Sequence, residues 1–374
     1  MKIISLKDSN LDQIISLAIT TLTQGGLVIY PTETVCGIGA DATNQAAVDR
    51  LLEYKSRREG KPLSIAVANQ AMAEQFVELN EQARQLYQRF LPGPYTIISK
   101  YTGGLAQGVA SEFGSVGVRL PDYPLIQQLV ESFGKPITAT SANASGKKRP
   151  YQVSDVLDHL SKKQRGLIGL IIDAGRLPPN EPSVVIDTTH STPIALRGQY
   201  LGGISSAAQN SSQKLVKLAS HSDQETQTIA GKLLLKHWER LKSKGLVIGL
   251  DGELGAGKTV FAKGLAQFLG ISEEIVSPTY TYIKEYNFTR NEVRGMFYHL
   301  DAWKVEEKEM LESFQLERLL QAHHLIAIEW WSQVAGMLPS TIKPNIIVKI
   351  EADQKQTECE LGDNIRQLTI IEHE

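Results

Sequence analysis

Short apolar runs alternate with amphipathic stretches along the first 200 residues. The apolar runs are rich in β-branched residues and are bounded by Gly, Pro, Ser and Asn, which is typical of buried strands. One amphipathic stretch, AAVDRLLEYK, has the spacing of a helix that buries one face. The predicted strands lie in GGLVIYPT, KPLSIAV, PITATSAN, LIGLIIDAG and PSVVIDT. This alternation predicts an α/β domain over residues 1–205.

The pattern is interrupted by a segment dominated by Ser, Gln, Ala and Asn, which favours a linker over residues 206–228. From residue 229 the alternation resumes. One amphipathic helix is expected to carry Ile229 and Trp238 on its apolar face. A strand LVIGLDG, a helix TVFAKGLAQFLG and strands in MFYHLD, LIAIEW and NIIVKIEA follow. The chain is therefore expected to be α/β with a second domain over residues 229–374.

Composition narrows the class of protein. The 374 residues are 42% hydrophobic and 21% charged with a net charge of −2, which fits a globular protein of two domains and argues against a surface coated in positive charge for nucleic acid. No window approaches the roughly 18 apolar residues of a membrane helix, and the first residues do not read as a signal peptide. Cys36 and Cys359 lie far apart without a CxxC pair, so neither a disulfide framework nor a zinc ribbon is expected. This cysteine usage predicts a cytoplasmic location.

The clearest motif is GELGAGKT at residues 252–259, between a predicted strand and a predicted helix. It matches G-x-x-x-x-G-K-[ST], a loop whose backbone N–H groups hold phosphate oxygens at a helix N-terminus. Lys258 would reach the β- and γ-phosphates, and the Thr259 hydroxyl would bind Mg²⁺. The strand and helix on either side favour a true P-loop over a glycine-rich turn.

Carboxylates and a polar turn accompany the P-loop. Glu329 and Asp301 each end a predicted strand, and either could hold a metal-bound water or polarise the attacking water. The alternative for a single carboxylate at a strand end is a helix cap or a solvated residue. Ser277-Pro278-Thr279 stands where switch segments of P-loop proteins lie, although it also reads as a plain Ser-Pro turn.

The ordered motifs GELGAGKT, SPTYT, YHLD and IEWW resemble TsaE (the YjeE family), the small ATPase of bacterial tRNA threonylcarbamoyladenosine (t6A) synthesis. The resemblance implies a P-loop NTPase-like fold and functional roles in ATP hydrolysis for Thr279, Asp301 and Glu329. It implies Mg²⁺ on Thr259 and Glu329. ATP is implied at Gly255, Ala256, Gly257, Lys258, Thr259 and Val260.

The first half carries four polar features of its own. They are Pro31-Thr32-Glu33-Thr34 at a strand exit, the cations of Lys55-Ser56-Arg57-Arg58, Arg119 as the single charge in an apolar run, and the donor-rich loop TSANASG at residues 140–146. Taken singly, each has a structural explanation: a turn, a complement to a helix dipole, or an edge-strand arginine. Together they suit an anionic ligand, because guanidinium, ammonium and hydroxyl groups bind phosphate and carboxylate.

The order PTET, K-x-R, KPLS, LPGP, VRLP, SAN-x-SG, PSVVID and LRG resembles the YrdC/TsaC family of threonylcarbamoyl-AMP synthases. That family joins L-threonine, bicarbonate and ATP into threonylcarbamoyl-AMP and pyrophosphate, and its fold is a twisted α/β sheet. The hallmark set is present as Lys55, Arg57, Ser141 and Asn143, which the resemblance implies are catalytic. It further implies a threonine pocket of Thr32, Arg119 and Ser183, and ATP contacts from Lys55, Arg57, Arg58, Ser141, Asn143, Arg149 and Arg197. Cys36 and Val184 depart from the family pattern, which has Tyr and Thr at these positions.

The two resemblances point to one pathway. A natural fusion would make the t6A intermediate with its first domain and support its transfer to tRNA with its second, acting with a separate TsaD–TsaB transferase complex and meeting tRNA through that complex. One alternative is a first domain that binds RNA or a nucleotide without chemistry. Another is a second domain that is a nucleotide-dependent interaction switch, and a weaker one is a small-molecule kinase.

Overall fold

The structure is a computed structural model, and it describes residues 1–56, 62–143, 148–190, 193–197, 213–278, 281–352 and 365–373. The chain divides into two compact units. The helices and strands of the first unit lie within residues 1–197, and those of the second within residues 213–373. The prediction of a two-domain α/β protein is confirmed.

The first unit alternates short strands with helices. Its elements are β1 (Lys2–Ser5), α1 (Leu11–Thr23), β2 (Leu27–Tyr30), β3 (Gly37–Gly39), α2 (Gln45–Lys55), β4 (Ser64–Ala66), α3 (Gln70–Ala73), β5 (Val77–Glu78), α4 (Glu81–Phe90), β6 (Tyr95–Tyr101), β7 (Ser115–Arg119), α5 (Pro124–Phe133), β8 (Ile137–Ser141), α6 (Val153–Leu157), α7 (Lys162–Leu167), β9 (Ile168–Asp173), β10 (Val184–Asp187) and β11 (Ile194–Arg197).

The strands form a mixed sheet in the order β1-β9-β2-β3-β8-β4-β7-β6-β10-β11, with β5 paired to β6. Successive side chains of a strand point to opposite faces. In β2, Leu27 and Ile29 belong to one apolar cluster, whereas Val28 and Tyr30 belong to another that includes residues of α1 and α5. Because both faces of this strand are covered, its sequence is a continuous apolar run rather than an alternating one.

The second unit combines helices with a mixed sheet whose central strands are parallel. Its elements are β12 (Gln213–Ser220), α8 (Asp223–Lys236), α9 (Trp238–Lys244), β13 (Leu246–Asp251), α10 (Lys258–Leu269), β14 (Ile283–Arg290), β15 (Val293–Asp301), α11 (Lys308–Ser313), α12 (Leu316–Leu319), β16 (His324–Glu329), α13 (Trp331–Val334), β17 (Ile346–Ala352) and β18 (Arg366–His373).

The sheet of the second unit has the order β12-β18-β17-β13-β16-β15-β14. Strands β15, β16, β13 and β17 are parallel to their neighbours within that group, and the outer strands pair antiparallel. The register sets Asp301 of β15 opposite Glu329 of β16, and Glu329 opposite Leu250 of β13. The carboxyl ends of these parallel strands therefore meet at one edge, where ligands of α/β sheets commonly bind.

The predicted linker over residues 206–228 is wrong from residue 213 onward. Residues 213–220 form β12, which pairs along its whole length with β18, and α8 begins at Asp223. The Ser222 side chain caps this helix by accepting a hydrogen bond from the backbone N–H of Glu225 at 3.1 Å. Polar residues suit this segment because β12 is an edge strand and the first turn of α8 is largely exposed to solvent. Residues 206–212 lie outside the described part of the chain.

The single amphipathic helix expected from residue 229 is also corrected. It is divided at His237 into α8 and α9, although Ile229 and Trp238 are both buried as expected. Helix α8 packs closely on α10 at Gly264, where an added Cβ would lie 2.4 Å from the backbone oxygen of Gln227. Only glycine allows this approach of the two helices.

Among the residues that the structure describes, no helix has the length and apolar character needed to cross a lipid bilayer.

Candidate functional sites

The loop after β13, residues 252–257, has positive φ angles at its three glycines. It leads directly into α10, whose first residue is Lys258. Gly257 has φ of +109°, and an added Cβ there would lie 2.5 Å from Nε of Arg366. A side chain at position 257 would thus be strained by its backbone and would also collide with a buried arginine. The strand, glycine loop and helix predicted for the P-loop are confirmed, and Val260 lies in the first turn of α10.

Lys258 is held at the mouth of this loop. Its Nζ donates hydrogen bonds to the backbone oxygens of Gly252 and Glu253 at 2.8 and 2.9 Å, and it lies 3.7 Å from the ring centroid of Trp330. Burial lowers the pKa of Lys258, while the carboxylates of Glu329, Asp301 and Asp251 act in the opposite direction. The arrangement places a lysine over the loop with backbone oxygens and a ring face as its partners, which phosphate oxygens could replace.

Thr259 and Glu329 lie together beside the loop. The Thr259 hydroxyl donates to Oε1 of Glu329 at 2.9 Å, and Nε2 of His299 lies 2.8 Å from the same oxygen. Glu329 and His299 are both buried. A hydroxyl and a carboxylate are the hard oxygen donors that Mg²⁺ takes from proteins alongside nucleotide phosphates. The residues present therefore fit a magnesium ion on Thr259 and Glu329.

Asp301 is the second buried carboxylate at this edge. Its Oδ2 accepts a hydrogen bond from Ser277 Oγ at 2.7 Å, and its Oδ1 accepts one from the backbone N–H of Trp303 at 3.0 Å. Ser277 belongs to the predicted switch turn, so the structure brings that turn to the carboxylate. Thr279 lies outside the described residues.

Arg366 supports the loop from β18, and no sequence motif pointed to it. Its guanidinium donates to the backbone oxygen of Ala256 at 3.1 Å, to Oγ1 of Thr226 at 3.3 Å and to Oδ1 of Asp223 at 2.5 Å. The last strand and the first helix of this unit are thus tied to the P-loop by one buried side chain. His299 was also missed, although it stands two residues before Asp301 in the YHLD motif.

In the first unit, Lys55 is brought to the predicted loop. It ends α2, is 2% exposed, and its Nζ donates to the backbone oxygens of Ser141 and Asn143 at 2.7 Å each. The Ser141 hydroxyl donates to Oδ1 of Asn143 at 2.6 Å. Three members of the predicted set therefore form one cluster at the end of β8. The fourth member, Arg57, and the predicted ATP contact Arg58 lie outside the described residues.

The PTET segment lies beside this cluster, because β3 follows it and pairs Gly37 with Ser141. The Thr32 hydroxyl is buried and donates to the backbone oxygen of Val35 at 2.7 Å. Arg119, at the end of β7, forms an ion pair with Glu33, with Nη2 and Oε1 separated by 2.6 Å. The lone charge of the apolar strand thus has a partner that the sequence analysis did not identify.

Ser183 and Arg197 form a third group. The Arg197 guanidinium donates to the Ser183 backbone oxygen at 2.9 Å and to its Oγ at 2.7 Å. The pKa of Arg197 is lowered by burial and further by the positive charges of Arg119 and Arg149. Arg149 itself is exposed. Guanidinium groups that repel one another in this way favour the binding of an anion among them.

The two residues that depart from the family pattern, Cys36 and Val184, both fit into the fold. Cys36 is buried, and burial raises the pKa of its thiol to about 12, with smaller contributions from Asp155 and Asp173. A thiol in that state is a packing group and not a nucleophile. Val184 begins β10 and pairs with Tyr95.

Two family models match the chain, one to each unit. The Sua5/YciO/YrdC model, described as "Telomere recombination", matches residues 20–198. The TsaE model, described as "Threonylcarbamoyl adenosine biosynthesis protein TsaE", matches residues 220–360.

Curated relatives match the first of these regions. A threonylcarbamoyl-AMP synthase of Vibrio vulnificus is 36% identical over 158 residues, which are 41% of this chain and 83% of that protein. A threonylcarbamoyl-AMP synthase of Pyrococcus abyssi is 36% identical over 184 residues, which are 49% of this chain and 53% of that protein. The chain thus spans about half the length of the latter relative.

A solved structure shares the fold. A double variant of Pyrococcus abyssi Sua5 aligns with a TM-score of 0.51 at 29% sequence identity, covering 67% of this chain and 78% of that one. Taken with the family models and the relatives, this similarity identifies the chain as a member of the Sua5/YciO/YrdC family of threonylcarbamoyl-AMP synthases that carries a TsaE domain after its synthase domain.

Proposed function

We propose that the first unit makes threonylcarbamoyl-AMP and pyrophosphate from L-threonine, bicarbonate and ATP. The names of the relatives support this activity. The observation that carries the proposal is the clustering of Lys55 with Ser141 and Asn143 on the strand next to the PTET segment. This loop and the guanidinium groups near Ser183 offer donors and positive charge to a nucleotide and an amino acid.

The chemistry requires positioning and charge neutralisation rather than a nucleophilic side chain. The threonine amine and bicarbonate form a carbamate, one oxygen of which attacks the α-phosphorus of ATP as the bond to pyrophosphate breaks. Lys55 fixes the loop of Ser141 and Asn143 against helix α2. It would also add positive charge beside the triphosphate of a bound ATP. Arg57 and Arg58 are expected to join it, and Arg149 and Arg197 to contact the nucleotide.

The threonine pocket is proposed around Thr32, Arg119 and Ser183. A guanidinium recognises a carboxylate through paired hydrogen bonds, which suits Arg119. The Thr32 and Ser183 hydroxyls are both buried and offer partners for a small polar side chain. Holding threonine and ATP in one orientation would supply much of the rate enhancement.

We further propose that the second unit hydrolyses ATP. Gly255 to Val260 would hold the phosphates, and Thr259 and Glu329 would hold a magnesium ion that neutralises charge on them. Asp301, held by Ser277, and Glu329 remain the two candidates for positioning the attacking water, and Thr279 is expected to act from the switch turn. Its partner would be the TsaD–TsaB transferase complex, with tRNA bound through that complex.

Pyrophosphate release by the purified protein tests the synthase proposal. ATP, Mg²⁺ and bicarbonate are supplied with or without L-threonine, and Lys258→Ala is assayed in parallel to remove turnover at the P-loop. The proposal expects threonine-dependent release that Lys258→Ala retains. A protein that binds ATP but releases no pyrophosphate with threonine would be a binding module instead.

A further inference from the structure

The ion pair between Glu33 and Arg119 is buried and incompletely satisfied. The two side chains are 15% and 13% exposed, and a single contact of 2.6 Å joins Oε1 of Glu33 to Nη2 of Arg119. Oε2 of Glu33 and Nε of Arg119 are buried and have no hydrogen-bond partner. A buried charged group with an unused donor or acceptor is costly unless a ligand completes it.

The two unused atoms have opposite character. Nε of Arg119 is a donor and suits a carboxylate, whereas Oε2 of Glu33 is an acceptor and suits an ammonium. An amino acid zwitterion carries both groups on one carbon atom. A zwitterion placed against this pair would satisfy both charges at once, which a free carboxylate alone would not.

We infer that Glu33 binds the α-ammonium of the amino acid substrate and accepts the proton that this group must lose before it reacts. The inference rests on the proposed synthase activity. In this role, Glu33 would make the site prefer an α-amino acid to a carboxylic acid of the same shape that lacks the amine.

The proton balance is simple. The ammonium gives one proton to the Glu33 carboxylate and becomes a neutral amine. The nitrogen lone pair then forms the bond to the bicarbonate carbon, the second proton leaves with the departing hydroxide as water, and the carbamate remains. Glu33 must later release its proton to solvent.

The surroundings of Glu33 suit a proton acceptor. Burial raises its pKa, while the neighbouring Arg119 lowers it and Asp122 raises it. Tyr30, whose pKa both charges of the pair influence, stays neutral because burial raises that pKa. Once the substrate carboxylate neutralises Arg119, the effect of that guanidinium on Glu33 weakens, so the carboxylate becomes a better base when substrate arrives.

Glu33→Gln tests the inference by ligand binding. Calorimetry would compare L-threonine with 3-hydroxybutanoate, which keeps the carboxylate and hydroxyl of threonine and lacks its amine. The wild-type protein should prefer threonine by about tenfold or more, as expected for hydrogen bonds to a charged group. Glu33→Gln should lose that preference because only threonine binding weakens, and Glu33→Asp should keep most of it.

Glu74→Gln is the matched control. Glu74 pairs with Arg84 at 2.5 Å in the same unit, but on the exposed surface, so its loss should leave both affinities unchanged. In turnover, wild-type activity should fall as the pH drops through the pKa of Glu33, and Glu33→Gln should lack this acidic limb.

The outcomes separate the inference from the function on which it rests. A wild-type protein that binds no threonine would overturn the synthase proposal itself. Equal affinity of the wild-type protein for the two ligands, or an equal loss of both in Glu33→Gln, would overturn the role of Glu33 alone. The wild-type comparison alone can overturn the role of Glu33 even if Glu33→Gln does not fold.

Discussion

Among single residues, His299 shows how one buried side chain can orient another that is a candidate for catalysis. It presents Nε2 to Glu329 from the neighbouring strand, and both residues are buried. Glu329 then has two neighbours that define its orientation, the hydroxyl of Thr259 and this imidazole. If Glu329 binds a metal ion as proposed, partners of this kind would fix the orientation of its carboxylate and tune its affinity for the metal.

We predict that His299→Ala lowers ATP hydrolysis by about tenfold to 100-fold, because Glu329 loses one of its two orienting contacts. Nucleotide affinity should change little, since the hydrogen-bond contact of His299 is with Glu329 and not with the loop that would hold the phosphates. Hydrolysis would be measured with and without the proposed TsaD–TsaB partner proteins, and binding by fluorescent nucleotide titration. His324→Ala is the control, because that ring contacts the Leu319 backbone and the Tyr298 ring rather than Glu329. Equal losses in the two variants would refute the positioning role.

Cys36 gives a second prediction at this scale. With a pKa of about 12, its thiol is almost entirely protonated at pH 8, and only the thiolate reacts. In a Cys359→Ser background, a thiol reagent should label Cys36 only after denaturant unfolds the first unit. Rapid labelling of the native protein at pH 8 would show that the thiol is not held in the buried state described.

At the scale of elements, the contact between α8 and α10 decides whether the P-loop helix is held in place. We predict that Gly264→Ala destabilises the second unit by about 1–3 kcal/mol, because the new methyl group would overlap the α8 backbone. That cost should exceed the gain of about 1 kcal/mol in helix propensity. Thermal unfolding would measure it. Gly336→Ala is the control, since no atom lies within 4 Å of the Cβ it would add, and an equal loss there would refute the packing argument.

Elements were predictable from the sequence where local pattern decides them. Strands β2, β9, β13 and β16 are apolar runs buried on both faces, so the pattern sufficed. The composition of strand β12 indicates a linker instead, because its partner, β18, lies about 150 residues away in sequence and the pairing leaves no local signal. The end of the long helix at His237 likewise depends on packing that the periodicity does not contain.

The candidate sites were also predictable from the sequence only where a local motif marks them. Lys55, Ser141 and Asn143 were expected together from a motif and do lie together. The partner of Arg119 was not expected, because Glu33 and Arg119 meet only through the order of the strands. Arg366 had no sequence signal, since its role follows from where β18 lies relative to the P-loop.

For the molecule as a whole, we propose one nucleotide site in each unit. Lys55→Ala should abolish threonylcarbamoyl-AMP synthesis while the second unit still binds nucleotide, and Lys258→Ala should do the reverse. Lys163→Ala is a control for the first unit, because that lysine forms an exposed surface pair with Glu53. A folded single variant that removed both activities would contradict the assignment of separate sites.

The most direct test of the central claim is to identify the product. The protein would be incubated with ATP, Mg²⁺, L-threonine and isotopically labelled bicarbonate, and the nucleotides formed would be analysed by mass spectrometry. We expect threonylcarbamoyl-AMP that carries the label, formed by the wild-type protein and by Lys258→Ala but not by Lys55→Ala. Formation of AMP or ADP alone, with no labelled adduct in any of the three proteins, would contradict it.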